Sequence, residues 1–183
     1  MANYGLAKPI IAKLNVETGA YTEGFQCGKA VNTDITPNYN EGSLYGDNEL
    51  QEYVKEFKDA DVNLTVTTMP IASATVMFGH TVDEETQNII FSGNDSANFV
   101  GYGFYATEII NNVKSYPAVV LPKVKFTESA ESYTTKGESI EFKTPALSGK
   151  AYTDNQGNWK YKQVCETEAE AIEWIQSKLG ITQ

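Results

Sequence analysis

His80 is the only histidine in the chain, and it limits the acid–base and metal chemistry open to it. A zinc site with two or three imidazoles cannot be built within one copy. Cys27 and Cys165 stand too far apart for a C-x-x-C arrangement and read as small buried thiols. A Ser-His-Asp or Cys-His relay would have to pass through His80, yet no G-x-S-x-G elbow presents a serine. The stretch HTVDEE (80–85) reads as a surface histidine beside a solvated turn. Gly101 and Gly103 in GYGFY form a lone G-x-G, without the third glycine or the following helix of a dinucleotide site. Close backbone packing within a strand is the reading there. The 24 acids make accidental carboxylate pairs easy, and nothing marks two of them as a glycosidase-like pair. No catalytic residue, cofactor site or metal ligand is assigned. A small carboxylate-dependent hydrolase is the weakest alternative.

The segment DITPNYNEGSLYGDNEL (34–50) is the most unusual stretch. As an EF-hand loop it fails: with Thr36, Asn38 and Asn40 at positions 1, 3 and 5, Glu41 stands where glycine is needed and Asp47 falls at position 12. A plain surface loop would leave Tyr39, Leu44 and Tyr45 in water. Connections longer than about 12–15 residues tend to be functional. The pattern therefore predicts a projecting loop at about 32–49 that docks on another molecule. Pro37, Asn38, Tyr39, Leu44, Tyr45 and Asp47 are its contact candidates. Before docking, such a loop is expected to be mobile.

The elements that would carry this loop are mostly strands. Ile10, Ile11 and Leu14 open a first strand, closed by the turn signal NVETG (15–19), and AYTEGFQCGKAV (20–31) is a second. KDADVNLTVTTM (58–69) alternates cleanly, with Ala60, Val62, Leu64 and Val66 on one face and Asp59, Asp61, Asn63, Thr65 and Thr67 on the other. Pro70 suits the start of a short helix that Gly79 stops. QNIIFSG, NFVGYGFYATEII and YPAVVLPKVKF are further strands, and Pro117 and Pro122 argue for an edge or a bulge in the last. ESIEFKTPALSGKAYT and NWKYKQV look like a closing hairpin across DNQGN. Thr167 and Glu170 have the spacing of a capping box before a helix whose buried face is Ala171, Ile172, Ile175 and Leu179, ended by Gly180. The layout predicts a mainly β (α+β) domain over 1–183, an antiparallel sandwich or barrel with a C-terminal helix and one short internal helix.

Composition sets the partners. All 14 basic residues are lysines, none is arginine, and the net charge is −10. Without guanidinium groups there is no bidentate grip on guanine or phosphate, and so acidic a chain repels a nucleic-acid backbone. No signal-peptide pattern or apolar run of membrane length is present, so the expectation is synthesis in a cytoplasm and no membrane partner.

The segment ITPNYNEGSLYGDNELQEYVKEFKDADVNLTV (35–66) resembles the major tail proteins of long, non-contractile-tailed (siphovirus-type) phages of Gram-positive hosts. The likeness continues in order through FGH, VGYGFY, YPAVVLPKVKF, YTTKGESIEFKTPALSGKAY, GNWK and TEAEAIEWIQSKLGI. The resemblance implies a tail-tube β-sandwich with a flanking helix. Its subunits would close into six-membered rings that stack into a DNA-conducting tube, with residues 32–49 reaching onto neighbouring copies. The implied partners are the chain itself, the tail tip or initiator complex, terminator proteins, and the tape measure protein and phage DNA in the lumen, without specific binding. The implied location is the virion, after synthesis in the bacterial host cytoplasm. The family often carries a second acid where this chain has Asn48, and no immunoglobulin-like decoration is expected after the helix. Six copies would carry 6 × (−10), a formal −60 per ring, and an acidic wall keeps DNA from sticking. Asp59 and Asp61 are the candidates to face that bore. A tail-completion protein or a tube-like secretion component of the same fold is the alternative.

Overall fold

Asn15 organises the first turn. Its side chain accepts the backbone N–H groups of Glu17 and Thr18, and Gly19 adopts φ +73°. That turn joins β1 (Asn3–Leu14) to β2 (Tyr21–Gln26). The computed structural model describes residues 3–181 apart from 84, 129, 132, 134 and 136–142. After β2 come β3 (Ala30–Gly46), β4 (Glu49–Val66), α1 (Ala72–Val76), β5 (Thr81–Asp83), β6 (Asn88–Ile90), β7 (Val100–Ile110), β8 (Val113–Thr127), β9 (Ala146–Tyr152), β10 (Tyr161–Cys165) and α2 (Glu168–Lys178). The main sheet is antiparallel throughout, in the order β2-β1-β7-β8-β9-β4-β3, with β10 added to β8; β5 and β6 form a separate hairpin.

The sheet curls so that β1, β4, β7, β8 and β9 share one core, which includes Ile11, Val62, Leu64, Tyr102, Phe126 and Leu147. The expected inward face of β4 is fully buried: Ala60, Val62, Leu64 and Val66 have no exposure. A second cluster lies on the opposite face of β1, β7 and β8, where Ile10, Tyr105 and Val120 meet Ala171, Ile175 and Leu179 of α2. Residues 100–105 of β7 are therefore buried on both faces, which accounts for their continuous rather than alternating apolar character. The glycines of GYGFY make the space for α2. A Cβ on Gly101 would lie 2.4 Å from Leu179 Cδ2, and one on Gly103 2.4 Å from Ile175 Cγ2.

Thr167 caps α2 by accepting the Glu170 backbone N–H at 3.2 Å, and the Glu170 carboxylate accepts the N–H of Glu166, one residue before the cap. The capping box is thus displaced by one residue on its return side. Gly180 takes the left-handed conformation after the helix. The internal helix is short, with the Pro70 carbonyl accepting the Ser73 N–H and Gly79 (φ +73°) ending it.

Two expectations are corrected and a third is narrowed. The segment 32–49 is not a loop: it is most of β3 and the turn of a long hairpin with β4. Asp47 and Asn48 both have positive φ (51° and 65°), as a two-residue type I′ turn requires. Of the edge or bulge expected in β8, the edge is not found, because β7 pairs along one side while β10 and then β9 pair along the other, and the bulge is found, as a register shift against β7 between Leu121 and Val124. Pro122 falls at the handover between β10 (paired through Val120) and β9 (paired from Lys123), beside a register shift against β7, where no ladder N–H is needed. β9 and β10 do not form a hairpin with each other; each pairs with β8. Asp154 winds the turn between them, accepting the N–H groups of Gln156 and Asn158 and the Tyr161 hydroxyl. Of the strand expected from ESIEFKTPALSGKAYT, residues 138–142 lie outside the described residues, and the remainder includes β9. Among the described residues no helix is long and apolar enough to cross a membrane.

Gly103→Ala should cost about 1–3 kcal/mol by forcing α2 off the sheet. A thermal melt indistinguishable from the parent would contradict the close approach.

Candidate assembly interface

β4 has β9 beside it only from Ala60 to Thr65. Before Ala60 its strand partner among the described residues is β3 alone, so residues 39–57 form a two-stranded arm that extends roughly 30 Å at about 3.3 Å per residue. A free hairpin is marginally stable in water, and this one is braced along one face. Trp159, just ahead of β10, stacks on Phe57 with centroids 4.9 Å apart, and Phe57 meets the edge of Tyr39 at 6.2 Å. Lys55 lies over the Tyr39 ring at 4.5 Å and pairs with Glu41 at 2.8 Å. Tyr53 hydrogen-bonds the same carboxylate. The Lys55 and Tyr53 hydrogen bonds hold Glu41 below its ordinary range, and the Glu41 bond holds Lys55 above its own. Beyond this spine the arm leaves large apolar groups in water: Leu44 is 60% exposed, Tyr45 66% and Leu50 54%.

The sequence-predicted contact residues divide between the arm and its root. Tyr39, Leu44 and Tyr45 are exposed on the arm, and Asp47 occupies its turn. Pro37 lies opposite Ala60 on β3, the last strand in the sheet order, a position compatible with its missing N–H. Asn38 is bound at the root, where its amide donates to Asp59 and to Asp61, both at 2.8 Å. Lys150 of β9 donates to the same two carboxylates at 3.1 and 2.9 Å. These bonds hold Asp59 and Asp61 below their ordinary range. The two candidate bore-facing acids are therefore unequal, with side-chain exposures of 9% for Asp59 and 48% for Asp61. Sequence reasoning missed Phe57, Lys55, Trp159 and Lys150. The Asp-Asn pair between two strand-like runs was the available signal for the hairpin.

The expectation of mobility before docking differs from what the structure holds, because the arm is already paired along its length. A second hairpin leaves the sheet beside it. β4 and β8 both run antiparallel to β9, hence parallel to each other, and both begin at a hairpin tip. The β7–β8 tip turns at Asn111–Asn112 (φ 50° and 65°) and exposes Ile109, Ile110 and Val113. One end of the molecule thus carries two apolar tips.

His80 departs from its expected place at the surface. It is 8% exposed, bonded through Nδ1 to Asp95 at 2.7 Å and through Nε2 to Glu128. The acids that hold it, Asp95 and Glu128, are remote in sequence. It lines a cleft of about 520 Å³ with Asp61, Lys125 and Lys150. Cys27 and Cys165 are free and buried, and burial pushes the Cys27 thiol up to about 11. Among the described residues, Glu41, Asp59, Asp61, Asp83, Asp95 and Asp154 are all displaced downward, opposite to the shift a general acid needs.

The fold and the arm define a mainly antiparallel β protein with a preformed hairpin that leaves Leu44, Tyr45 and Leu50 exposed. The chain matches no family model and no curated protein.

Because Asp59 and Asp61 are depressed in the folded state, their contribution to stability is present above about 3.8 and lost as pH falls through their folded values. The double variant Asn38→Ala, Lys150→Met should show a smaller fall in melting temperature between about pH 4 and pH 2 than the parent. Equal falls would remove these bonds from the account.

Proposed function

We propose that the chain is a structural subunit that assembles with copies of itself into a hollow, DNA-conducting tube of the phage-tail type. The observation that carries this reading is the arm, a preformed hairpin presenting Leu44, Tyr45, Leu50 and Tyr53 to solvent. Covering a Leu- or Tyr-sized side chain against a neighbour is worth about 1.5–3 kcal/mol each, so a few such residues supply a driving force for association. Because the arm is already paired, docking orders side chains rather than a whole loop, which lowers its entropic cost.

Two further features support the reading. β2 and β3 are the outermost strands in the order of the main sheet, so the edges available for contact between copies are different surfaces. Heterologous contacts of that kind generate rings when the rotation closes. The charge of −10 with no arginine suits a wall past which a polyanion must slide without sticking. In this reading the sheet and α2 form the tail-tube sandwich, Asp61 is the better placed of the two acids to face the lumen, and the virion is where the protein works. Its partners there are further copies, the tail tip or initiator complex, terminator proteins, the tape measure protein and DNA.

The test replaces residues 40–56 by an Asn-Gly turn, which spares Asn38, Asp59, Asp61 and Lys150. The expected product is a folded monomer by circular dichroism that gives no tubes in negative stain, where the parent seeded with tail tips gives long stacked rings. Normal tubes from the trimmed protein, or a parent that remains solitary when seeded, would overturn the reading.

A further inference from the structure

His80 stands where three pieces of chain meet. It follows α1 and Gly79; its Nδ1 faces Asp95 in the loop after β6, and its Nε2 faces Glu128 just past the end of β8. Asp95 also accepts the Ser92 backbone N–H at 2.8 Å, so it gathers its own loop. The ring lies between Phe78 and Phe91, with centroids at 5.9 and 4.5 Å. Among the described residues, the other charged or titratable groups around the adjoining cleft are Lys125, Asp61, Lys150 and Tyr152.

The hydrogen-bond inventory fixes the charge that fits this arrangement. Ionised carboxylates only accept, and a neutral imidazole has one N–H, which would leave one carboxylate facing a bare lone pair. The imidazolium ion satisfies both. The ends of the segment are held without regard to protonation. The His80 backbone N–H donates to the Ala74 carbonyl, the Asn98 N–H donates to the Met77 carbonyl, and the Asn98 side chain donates to the carbonyls of Thr75 and Val76. Between those anchors, the β5–β6 hairpin and the loop to Asp95 meet β8's end through the His80 cluster.

We propose that His80 is a proton-dependent latch: as imidazolium it fastens the β5–β6 hairpin and the loop to Asp95 onto the end of β8, and loss of one proton unfastens them. The latch fixes the position of Ile90 and Phe91, which are 52% and 62% exposed. The inference stands apart from the tube reading and needs no partner.

The sign follows from the surroundings. Burial pushes the imidazole down, but the hydrogen bonds to Asp95 and Glu128 and their charges outweigh it, so His80 sits above its ordinary 6.5. The fastened form holds the proton more tightly, and opening releases it. The opening constant is therefore flat below about pH 6.5, rises by up to about tenfold per pH unit until the fastened-state value is passed, and is then flat again.

With a single histidine, ring C–H NMR signals give one titration curve. The midpoint should lie above 6.5 in the parent and move down in Glu128→Gln and in Asp95→Asn. Amide-exchange protection in β5 and β6, corrected for intrinsic base catalysis, should fall across the same window by up to about tenfold per pH unit, while β7 and β8 hold theirs. His80→Gln should abolish that dependence; if it does not fold, the two carboxylate variants carry the test. A parent midpoint at or below 6.5, a midpoint indifferent to both carboxylate variants, or a loss of protection shared equally by β7 and β8 would overturn the latch.

Discussion

Tyr152 is the last residue of β9, and below it, among the described residues, β4 has a strand on only one side. The rest of the molecule's shape follows from that shortage of partners. β8 continues downward by taking β10 in place of β9, and the exchange occurs around Pro122, the residue least able to join a ladder. β4 finds no such replacement and leaves the sheet with β3 as the arm. The stack of Trp159 on Phe57 closes the fork between the two branches, tying the approach to β10 to the base of the arm.

Charge in this chain is handled by short-range pairing. Lys150 is shared by two aspartates at the arm's root, and Lys55 is set between Glu41 and a tyrosine ring. Lys123, Lys125, Lys160 and Lys178 also lie over aromatic faces. A lysine stem can cover a ring while its ammonium stays in water, so these cations serve the fold without forming the rigid fork that arginine would offer a phosphate. The net charge of −10 is the surplus of 24 acids over 14 lysines, and these contacts leave it unchanged.

The parts of the fold legible in the sequence are those that bury one face or both. Alternation exposed the inner face of β4 around Val62 and Leu64, and spacing exposed the α2 face of Ala171, Ile175 and Leu179. Gly101 and Gly103 were rightly read as packing positions, although the helix that fills the notch is 70 residues further on. The arm was illegible for the same physical reason. With both faces in water from Asn40 to Glu56, apolar and polar residues need not alternate, and the strands carry no period of two. At β8 the irregularity around Pro122 was legible, whereas the strand's change of partner halfway was not, because a proline rule written for ladder hydrogen bonds says nothing about which strand supplies them. His80 was misplaced because Asp95 and Glu128, which draw it inside, lie 15 and 48 residues away. Of the candidate interface, Tyr39, Leu44 and Tyr45 were visible as exposed aromatic and apolar groups, whereas the bracing by Trp159 and Lys150 depends on the closing of the sheet.

The two cysteines have a practical consequence. Cys27 has no exposed surface and Cys165 almost none, and burial keeps both thiols protonated at neutral pH. Alkylating reagents should thus pass the native protein by and modify it only when the backbone opens. Cys27 lies in the main core between β2 and β3, and Cys165 lies beneath α2. The pair is a built-in clock with two hands, one timing the release of the helix and the other the parting of the sheet itself.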